Sequence, residues 1–425
     1  MKKLLILGGG VAGLDLASNL GRTRGGRAFE IGLVDREPAH VWKPWLHTIA
    51  AGTSDASVQQ TPYVAQAAAR GFRYHPGEVM EIDRHERWVG VGPSVLDGEE
   101  VLPARRIAYD VLLLALGSRA NDFRTPGVAE HCFTIDSRHD ALAFNDRVRA
   151  RLLRAALAGE TVTVGIVGGG ATGVEMAAEL VQLAALARGF GIPGVEAALK
   201  VVLLNADSRL LMAFPEEISA ATRDKLEDLG VDVRSGTSVT AVDEAGFTLA
   251  DGGHVAADLK IWAAGIRAPA VLDTLDGLER SRSGQLIVGP SLVCPGDGAI
   301  IAVGDCARAT ITGSDTPVPA TAQAAFQQAT YLIKNLPAIV DGGAVKPFRY
   351  RDFGALVSLG GFDAYGSLGK FGFFRGGFIR GWIAQLGHAV LYRRHQTRLY
   401  GLIRGSLLWL SDAITSRIKP FARFT

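Results

Sequence analysis

The chain contains little cysteine: of its 425 residues, only Cys132, Cys294 and Cys306 are cysteines. They form no C-x-x-C pair, which excludes a disulfide-stapled secreted fold and favours a reducing compartment. Long apolar runs are also missing, because no segment approaches the roughly 18 consecutive apolar residues that cross a bilayer. In MKKLLILGGG the apolar run stops at the glycines, so this stretch predicts a strand rather than a signal peptide.

Acidic residues are nearly missing from the last part of the chain. From Ala364 to Thr425 there are ten Lys and Arg against one acid, Asp412, a balance of +9. Residues 1–363 carry 35 basic and 42 acidic residues, a balance of −7. A basic tail on an acidic body predicts contact with an anionic surface. No nucleic-acid-binding motif accompanies the tail, so we expect no nucleic-acid partner.

Strand-like and helical stretches alternate along the rest of the chain. KLLILGGG, residues 11–20 and EIGLVD form one strand-helix-strand unit, and TVTVGIVGGG, residues 171–187 and LKVVLLNA form a second. This order predicts an α/β fold with two Rossmann-like dinucleotide-binding domains. We expect the first domain to span residues 1–155 and to return at 276–345. The second domain would be inserted at 156–275, and a C-terminal membrane-associating region would occupy 346–425.

Each unit contains a G-x-G-x-x-G fingerprint between its strand and its helix. The fingerprint glycines are Gly8, Gly10 and Gly13 in the first unit and Gly168, Gly170 and Gly173 in the second. Such glycines let the backbone approach a pyrophosphate at a helix N-terminus, and Asp35, at the end of the next strand, can accept hydrogen bonds from a ribose. Two complete fingerprints predict a resident FAD and a visiting NADH or NADPH.

The motifs, taken in order, resemble those of the type II NADH:quinone oxidoreductases, members of the two-dinucleotide-binding-domain flavoproteins. They are GGGVAGL, LVDR, HVWKPWLH, ALGS, IVGGGATGVE, WAAGIRAP, AVGDCA and TAQAAFQQA, and the resemblance runs from about Lys3 to the end. It implies oxidation of NADH without proton pumping, with two electrons passing through FAD to a membrane quinone. It also implies a peripheral enzyme on the cytoplasmic face of the bacterial inner membrane, often a homodimer.

The same resemblance assigns further residues to the FAD site. Asp35 would bind the adenosine ribose, and Asp305 of the Gly-Asp pair would bind the ribityl and phosphate portion. The alternative for Asp305 is a turn or N-cap aspartate, and its position after the strand-like AIIAV favours the cofactor role. Lys43 would lie near the isoalloxazine ring, and the turn glycines Gly117 and Gly265 would also contact a cofactor.

The choice between NADH and NADPH centres on Asn205, which stands where the family usually has Glu. An acid there binds the ribose 2′-hydroxyl of NADH and repels the 2′-phosphate of NADPH. With Asn205 neutral and Arg209 four residues later, we expect NADH with relaxed acceptance of NADPH. Two alternatives stay open: Asp207 could take over the ribose contact, or Asn205 could bond the 2′-hydroxyl as an amide while Arg209 is a solvated surface charge.

Three polar side chains are candidates for the catalytic steps. Glu175 follows the second fingerprint, where it could complement the helix dipole or position the nicotinamide, and these two roles are compatible. Gln323 and Gln327 fit the family's A-Q-x-x-x-Q motif on the quinone side of the flavin. Taken alone, the same residues are simply good helix formers.

The tail contains apolar residues at helical spacing, namely Leu399, Leu402, Ile403, Leu407, Leu410, Ile414 and Ile418. Arg398, Arg404 and Arg417 supply positive charge around them. Trp409 is an aromatic residue of the kind that lies at a membrane interface. The pattern predicts a basic amphipathic helix in a surface of anionic lipid, and the alternative is a helix packed on its own domain or on a second subunit.

Rival functions need features that this sequence lacks. A sulfide:quinone oxidoreductase or a disulfide reductase needs a pair of redox cysteines, and the three here form no recognisable pair. A non-enzymatic flavoprotein would be expected to have a degraded second fingerprint, and this one is intact. No metal site is predicted, since His388 and His395, seven residues apart, are better explained as interfacial side chains.

Overall fold

The structure is a computed structural model that describes residues 1–55, 60–96, 98–189, 191–371 and 374–418. The predicted C-terminal region 346–425 thus extends in part, at 372–373 and 419–425, beyond the described residues. The strands are β1 (Lys2–Leu7), β2 (Phe29–Asp35), β3 (Ala39–Val41), β4 (Gln60–Pro62), β5 (Arg73–Pro76), β6 (Val79–Asp83), β7 (Trp88–Val91), β8 (Ser94–Leu96), β9 (Glu99–Leu102), β10 (Arg105–Ala108), β11 (Val111–Leu114), β12 (Arg119–Ala120), β13 (Val162–Val167), β14 (Leu199–Asn205), β15 (Asp232–Ser235), β16 (Val239–Val242), β17 (Gly246–Leu249), β18 (His254–Ala256), β19 (Leu259–Trp262), β20 (Ile266–Arg267), β21 (Leu286–Ile287), β22 (Ile300–Ala302), β23 (Ala307–Arg308), β24 (Gly354–Leu359), β25 (Asp363–Phe371) and β26 (Phe374–Arg380).

The α-helices are α1 (Val11–Leu20), α2 (Leu46–Ala51), α3 (Tyr63–Arg70), α4 (Val128–His131), α5 (Arg138–Ala158), α6 (Ala171–Gly189), α7 (Val195–Ala198), α8 (Glu216–Asp228), α9 (Ala322–Val340), α10 (Trp382–Tyr400) and α11 (Leu402–Ile418). Short 3-10 helices occupy Gly25–Ala28, Lys43–Trp45, Ala270–Thr274 and Gly304–Cys306.

The first parallel sheet has the strand order β22-β11-β1-β2-β5. Its central strands are apolar, and Leu4 to Leu7 of β1 are buried in a core that also contains Ile82 of β6 and Val89 of β7. Helices α1 and α9 pack together against it. Strand β22 comes from the chain after the second unit, so the chain leaves this sheet and returns to it.

The second parallel sheet has the order β15-β14-β13-β19. Helix α6 follows β13 and packs against β14, burying Met176, Leu180 and Leu183. Helix α5 begins at an N-cap in which Ser137 Oγ accepts the Asp140 N–H at 3.1 Å. The predicted α/β class with Rossmann-like units is confirmed, whereas the boundaries at 155, 275 and 345 stay predictions.

The chain after residue 346 begins as part of the folded body. Strands β24, β25 and β26 form an antiparallel sheet. Strand β24 packs on α6 and α10, and Tyr365 of β25 is fully buried in the core of the second domain. A large part of the predicted membrane-associating region therefore supports the dinucleotide-binding domains.

The predicted single helix from Leu399 to Ile418 is wrong, because one helix ends before Gly401 and another begins at Leu402. This glycine has a φ of +86°, which favours glycine, and it ends α10. Leu399 belongs to α10 and is 1% exposed in the core of the first domain, so it forms no part of an exposed stripe. Among the described residues, no helix has the length and apolar character needed to cross a bilayer.

Arg398 joins α10 to α1 of the first domain. It was predicted to lie beside an exposed apolar stripe. Its guanidinium donates to both carboxylate oxygens of the fully buried Asp15 on α1, at 3.0 and 2.6 Å. It also donates to Thr330 of α9 and lies 4.4 Å from the ring centre of Phe326. Burial raises the pKa of Asp15, and the nearby Arg398 charge opposes this rise.

We expect Arg398→Met to destabilise the protein by about 3 kcal/mol, because it leaves the buried Asp15 carboxylate without this cation. Urea denaturation of the purified variants measures the effect. Arg394→Met changes an exposed arginine on the same helix and is the control. The double variant Asp15→Leu/Arg398→Met is expected to recover part of the loss, and equal destabilisation by both single arginine changes would contradict this assignment.

Candidate dinucleotide sites

The first glycine loop forms an open cradle between β1 and α1. Gly8 has a φ of +94°, and a Cβ there would collide with the Ala115 carbonyl; a Cβ on Gly13 would collide with the Gly8 carbonyl. These two glycines are therefore required for the packing of the loop. A Cβ on Gly10 would meet nothing within 4 Å, so the backbone at the start of α1 is open to a ligand. The loop fits a dinucleotide pyrophosphate.

Asp35 holds this loop in place from the end of β2. Its Oδ2 accepts the Gly9 N–H at 2.6 Å and its Oδ1 accepts the Glu37 N–H at 2.8 Å. Burial raises the pKa of Asp35, although both hydrogen bonds favour the carboxylate. The predicted ribose contact stays a prediction, and the structure adds a role in shaping the loop.

Lys43, Gly117 and Asp305 come together although they are distant in sequence. Lys43 Nζ donates to the Ser118 carbonyl at 2.9 Å, and Ser118 Oγ donates to Asp305 Oδ2 at 2.8 Å. Gly117, directly before Ser118, has a φ of +68° that a glycine adopts readily. Three turns thus meet at one place, as expected if they contact the same cofactor.

Gln328, which sequence reasoning missed, fixes the turn that carries Asp305. Its Oε1 accepts the Gly304 N–H at 2.6 Å, and the side chain is 2% exposed. Gln328 lies in the TAQAAFQQA motif, next to Gln327. The helical spacing of this motif places Gln328 on the buried side of α9, and this spacing could have identified it. Ser118 was also missed, although it belongs to the ALGS motif.

The second glycine loop repeats the construction of the first, with Asn205 in place of Asp35. Gly168 has a φ of +119°, a Cβ on Gly173 would collide with the Gly168 carbonyl, and Gly170 is open. Asn205 Oδ1 accepts the Gly169 N–H at 3.1 Å. This loop also fits a dinucleotide pyrophosphate.

The side chains around Asn205 are arranged by hydrogen bonds within the loop. Asn205 Nδ2 donates to the carbonyls of Asp207 and Arg209, at 3.0 and 2.9 Å, and the residue is 5% exposed. The Arg209 guanidinium donates to Ser219 Oγ and to the carbonyls of Leu211, Met212 and Phe214. The guanidinium is thus half-buried and hydrogen-bonded within the loop, and its contact with a 2′-phosphate stays a prediction. Asp207 is exposed.

Gly265 lies in the connection between β19 and β20, beside the segment that follows β12. It has a φ of +66°, and a Cβ there would collide with the Phe123 ring. Its carbonyl accepts the Asn121 N–H at 3.3 Å. These contacts explain why the position needs glycine, and its predicted cofactor contact stays a prediction.

Glu175 lies in a buried acidic cluster that joins α6, α2 and β24. Its Oε1 accepts the Ser358 N–H at 3.0 Å, and its Oε2 lies 3.4 Å from His47 Nδ1. One turn later Glu179 accepts a hydrogen bond from Thr53 Oγ1. Burial raises the pKa of Glu175 to about 8 and that of Glu179 to about 7. Near neutral pH this cluster therefore holds at least one carboxyl proton.

Gln323 and Gln327 hold the segment after α9 in place. Gln323 Nε2 donates to Tyr350 Oη at 2.8 Å, and its Oε1 accepts the Phe353 N–H at 3.2 Å. Gln327 makes both of its contacts with the Arg351 backbone, at 2.8 and 2.9 Å. Both amides thus have structural partners, and their contact with quinone or flavin stays a prediction.

Two Rossmann-like sheets, each with a glycine loop open to a dinucleotide, define a two-dinucleotide oxidoreductase fold. Residues 2–329 match the family described as pyridine nucleotide-disulphide oxidoreductase. A type II NADH:quinone oxidoreductase of Haemophilus influenzae is 39% identical over 441 residues, covering 99% of each chain. One from Staphylococcus aureus is 28% identical over 373 residues, covering 86% of this chain and 89% of the relative. The chain belongs to the type II NADH:quinone oxidoreductase family, as the sequence motifs predicted.

A solved structure shares this fold along the whole chain. It is that of NDH2 from Plasmodium falciparum in complex with NADH, with a TM-score of 0.84, 17% identity and coverage of 100% of this chain and 99% of that one. At this identity the likeness concerns the fold alone.

We expect Glu175→Gln to change how stability depends on pH. Between about pH 4.5 and 8 the folded protein keeps a proton on Glu175 that the unfolded chain has released, so stability falls as pH rises, by at most about 1.4 kcal/mol per pH unit. Glutamine carries no such proton, and the variant's Tm should decline less across this window. Thermal melts at several pH values test this. Glu160→Gln, on an exposed position, is the control, and an unchanged profile in Glu175→Gln would refute the assignment.

Proposed function

We propose that the protein oxidises NADH and reduces a membrane quinone by two electrons, with FAD bound at the first glycine loop and NADH visiting the second. The observation that carries this proposal is the pair of glycine loops that are open to a ligand. In each loop the middle glycine donates a hydrogen bond to a side chain at the end of the neighbouring strand. Membership of the type II NADH:quinone oxidoreductase family supports it.

The residues of the chain bind and orient the two nucleotides. The chemistry supplied by bound FAD is acceptance of hydride from NADH and delivery of two electrons to the quinone. Gly10 and Asp35 would hold the pyrophosphate and the adenosine ribose. Lys43, Ser118 and Asp305 would hold the distal part of FAD through the connected turns that carry them. The site therefore needs both segments of the first domain, since Lys43 and Ser118 precede the second domain in the chain and Asp305 follows it.

Glu175 is the proposed proton-holding group at the second loop. It lies in the first turns of α6, whose N-terminus carries the second glycine loop, and it is almost fully buried. Its raised pKa keeps a proton on a carboxylate oxygen near neutral pH. A neutral carboxyl can position the nicotinamide without an added negative charge beside it.

The first test is a purified preparation in detergent, examined for a flavin spectrum and for oxidation of NADH by a short-chain ubiquinone. We expect FAD to be bound and NADH oxidation to depend on the quinone. Bound flavin that neither NADH nor NADPH reduces would show that the second loop has another ligand.

The same assay compares NADH with NADPH through kcat/KM. We propose NADH as the main substrate, because the Arg209 guanidinium already donates to Ser219 Oγ and to the Phe214 carbonyl, and the exposed Asp207 carboxylate follows β14. The lack of an acid at Asn205 supports weaker, relaxed use of NADPH. A strict requirement for NADH would contradict the relaxed part of this proposal.

Sulfur chemistry, the main alternative, gains no support from the three thiols. Burial raises the pKa of Cys132 and Cys294 to about 12 and that of Cys306 to about 11. Attack on a disulfide needs a thiolate, which these values disfavour at neutral pH.

We also propose that α11 holds the enzyme on an anionic membrane, at the cytoplasmic face of the bacterial inner membrane. Gly405, Leu408 and Asp412 form its less exposed side, and Arg393 of α10 donates to the Asp412 carboxylate at 2.5 Å. Ile403, Leu407, Leu410 and Ile414 are exposed on the opposite side of the helix, and Leu402 and Trp409 are exposed on its flank. An outward apolar face with the exposed Arg404 suits the interface of anionic lipid. The homodimer stays an expectation from the family.

We expect the double variant Leu407→Asp/Leu410→Asp to lose at least about tenfold in partition to anionic phospholipid vesicles, because two charges would enter the apolar face. Vesicle co-sedimentation measures the loss, with flavin content as the check on folding. Leu157→Asp, at a 91% exposed leucine far from the tail in sequence, is the control. Unchanged vesicle binding together with a smaller particle in solution would assign this face to a second subunit instead.

A further inference from the structure

The carbonyl of Gly9, in the middle of the first fingerprint, is held by two buried side chains. Tyr63 Oη donates to it at 2.9 Å, and His40 Nδ1 lies 2.9 Å from it. The N–H of the same glycine donates to Asp35. Both polar groups of this residue are thus fixed from outside the loop, so the orientation of the loop depends on these partners.

The contact to His40 continues to the C-terminal helix. His40 Nε2 lies 3.0 Å from His395 Nε2 of α10, and the two residues are 4% and 2% exposed. A carbonyl can only accept, so His40 Nδ1 must carry a hydrogen and, in a neutral ring, its Nε2 is an acceptor. His395 Nε2 must then be the donor. Burial lowers the pKa of both rings, that of His40 to about 4, which agrees with two neutral imidazoles.

Packing around the two rings fixes this arrangement. The Trp42 ring lies 4.6 Å from that of His395, and the Trp45 ring lies 4.2 Å from that of Tyr392, one turn earlier on α10. Nearly one turn later, Arg398 donates a hydrogen bond to the Asp15 carboxylate on α1, the helix that follows the glycine loop. Helix α10 therefore contacts both the loop, through His40, and the helix that follows it.

We infer that His395 is a positioning residue for FAD: acting through His40, it holds the Gly9 peptide and thereby keeps the first glycine loop in its phosphate-binding shape. The inference rests on the proposed binding of FAD to this loop. Helix α10 then has a function in cofactor retention that is separate from any contact of α11 with lipid.

The test is titration of the deflavinated full-length protein with FAD, followed by flavin fluorescence. His395→Leu removes the donor but keeps an apolar side chain, and we expect the FAD dissociation constant to rise about tenfold, the size of one lost buried hydrogen bond. Gln396→Leu is the control, because Gln396 is a buried neighbour whose partners, Tyr392 and Arg393, are both within α10. His395→Gln restores an N–H donor and should recover most of the affinity, which a purely space-filling role would not require.

A double-mutant cycle adds a second readout. If His395 acts through His40, His40→Leu/His395→Leu should bind FAD no worse than His40→Leu alone. Fully additive losses, or a His395→Leu constant within twofold of the unaltered protein, would overturn the inference. Equal weakening by Gln396→Leu would overturn it as well. Failure of the unaltered protein to bind FAD would instead overturn the proposed function, and this inference with it.

Discussion

The shape of both glycine loops depends on one hydrogen bond, from the N–H of the middle glycine to a side chain at the end of the neighbouring strand. In the first loop the acceptor is the Asp35 carboxylate, at 2.6 Å, and in the second it is the Asn205 amide oxygen, at 3.1 Å. The acceptor in the first loop is the closer of the two, which agrees with the resident FAD proposed for that loop. The acceptor in the second loop is an amide, and the visiting nucleotide is proposed to bind there.

The local parts of this design could be predicted from the sequence. A buried apolar strand followed by glycines and a helix has a fixed period and fixed turn residues, so α1 was expected at 11–20 and begins and ends there. The proximity of Lys43, Gly117 and Asp305 could be expected only through resemblance, because no local pattern shows which turns meet in space. His47, Glu179 and Gln328 were missed for the same reason. Their partners lie on other elements.

Errors arose where tertiary contacts override a helical pattern. Leu399 and Arg398 fitted the stripe and the charge of a surface helix, but Gly401 ends α10, so both residues face the body. Gln323 and Gln327 were chosen for a ligand, which stays a prediction, and the structure adds contacts of their amides with Tyr350 and the backbone of residues 351–353. An amide on a helix reveals its partner only once the neighbouring segment is placed.

Gly401 separates the tail into two helices, α10, which packs on the rest of the protein, and α11, which has an exposed apolar face. Every contact of α10 described above, with α1, with the loop at Gly9 and with the sheet of β24 to β26, is made before this glycine. Helix α11 packs on α10, and Arg393 of α10 donates to Asp412 of α11. On the membrane role proposed for α11, residues on its exposed face can change without altering the dinucleotide sites, and the lipid preference of the protein would change with them.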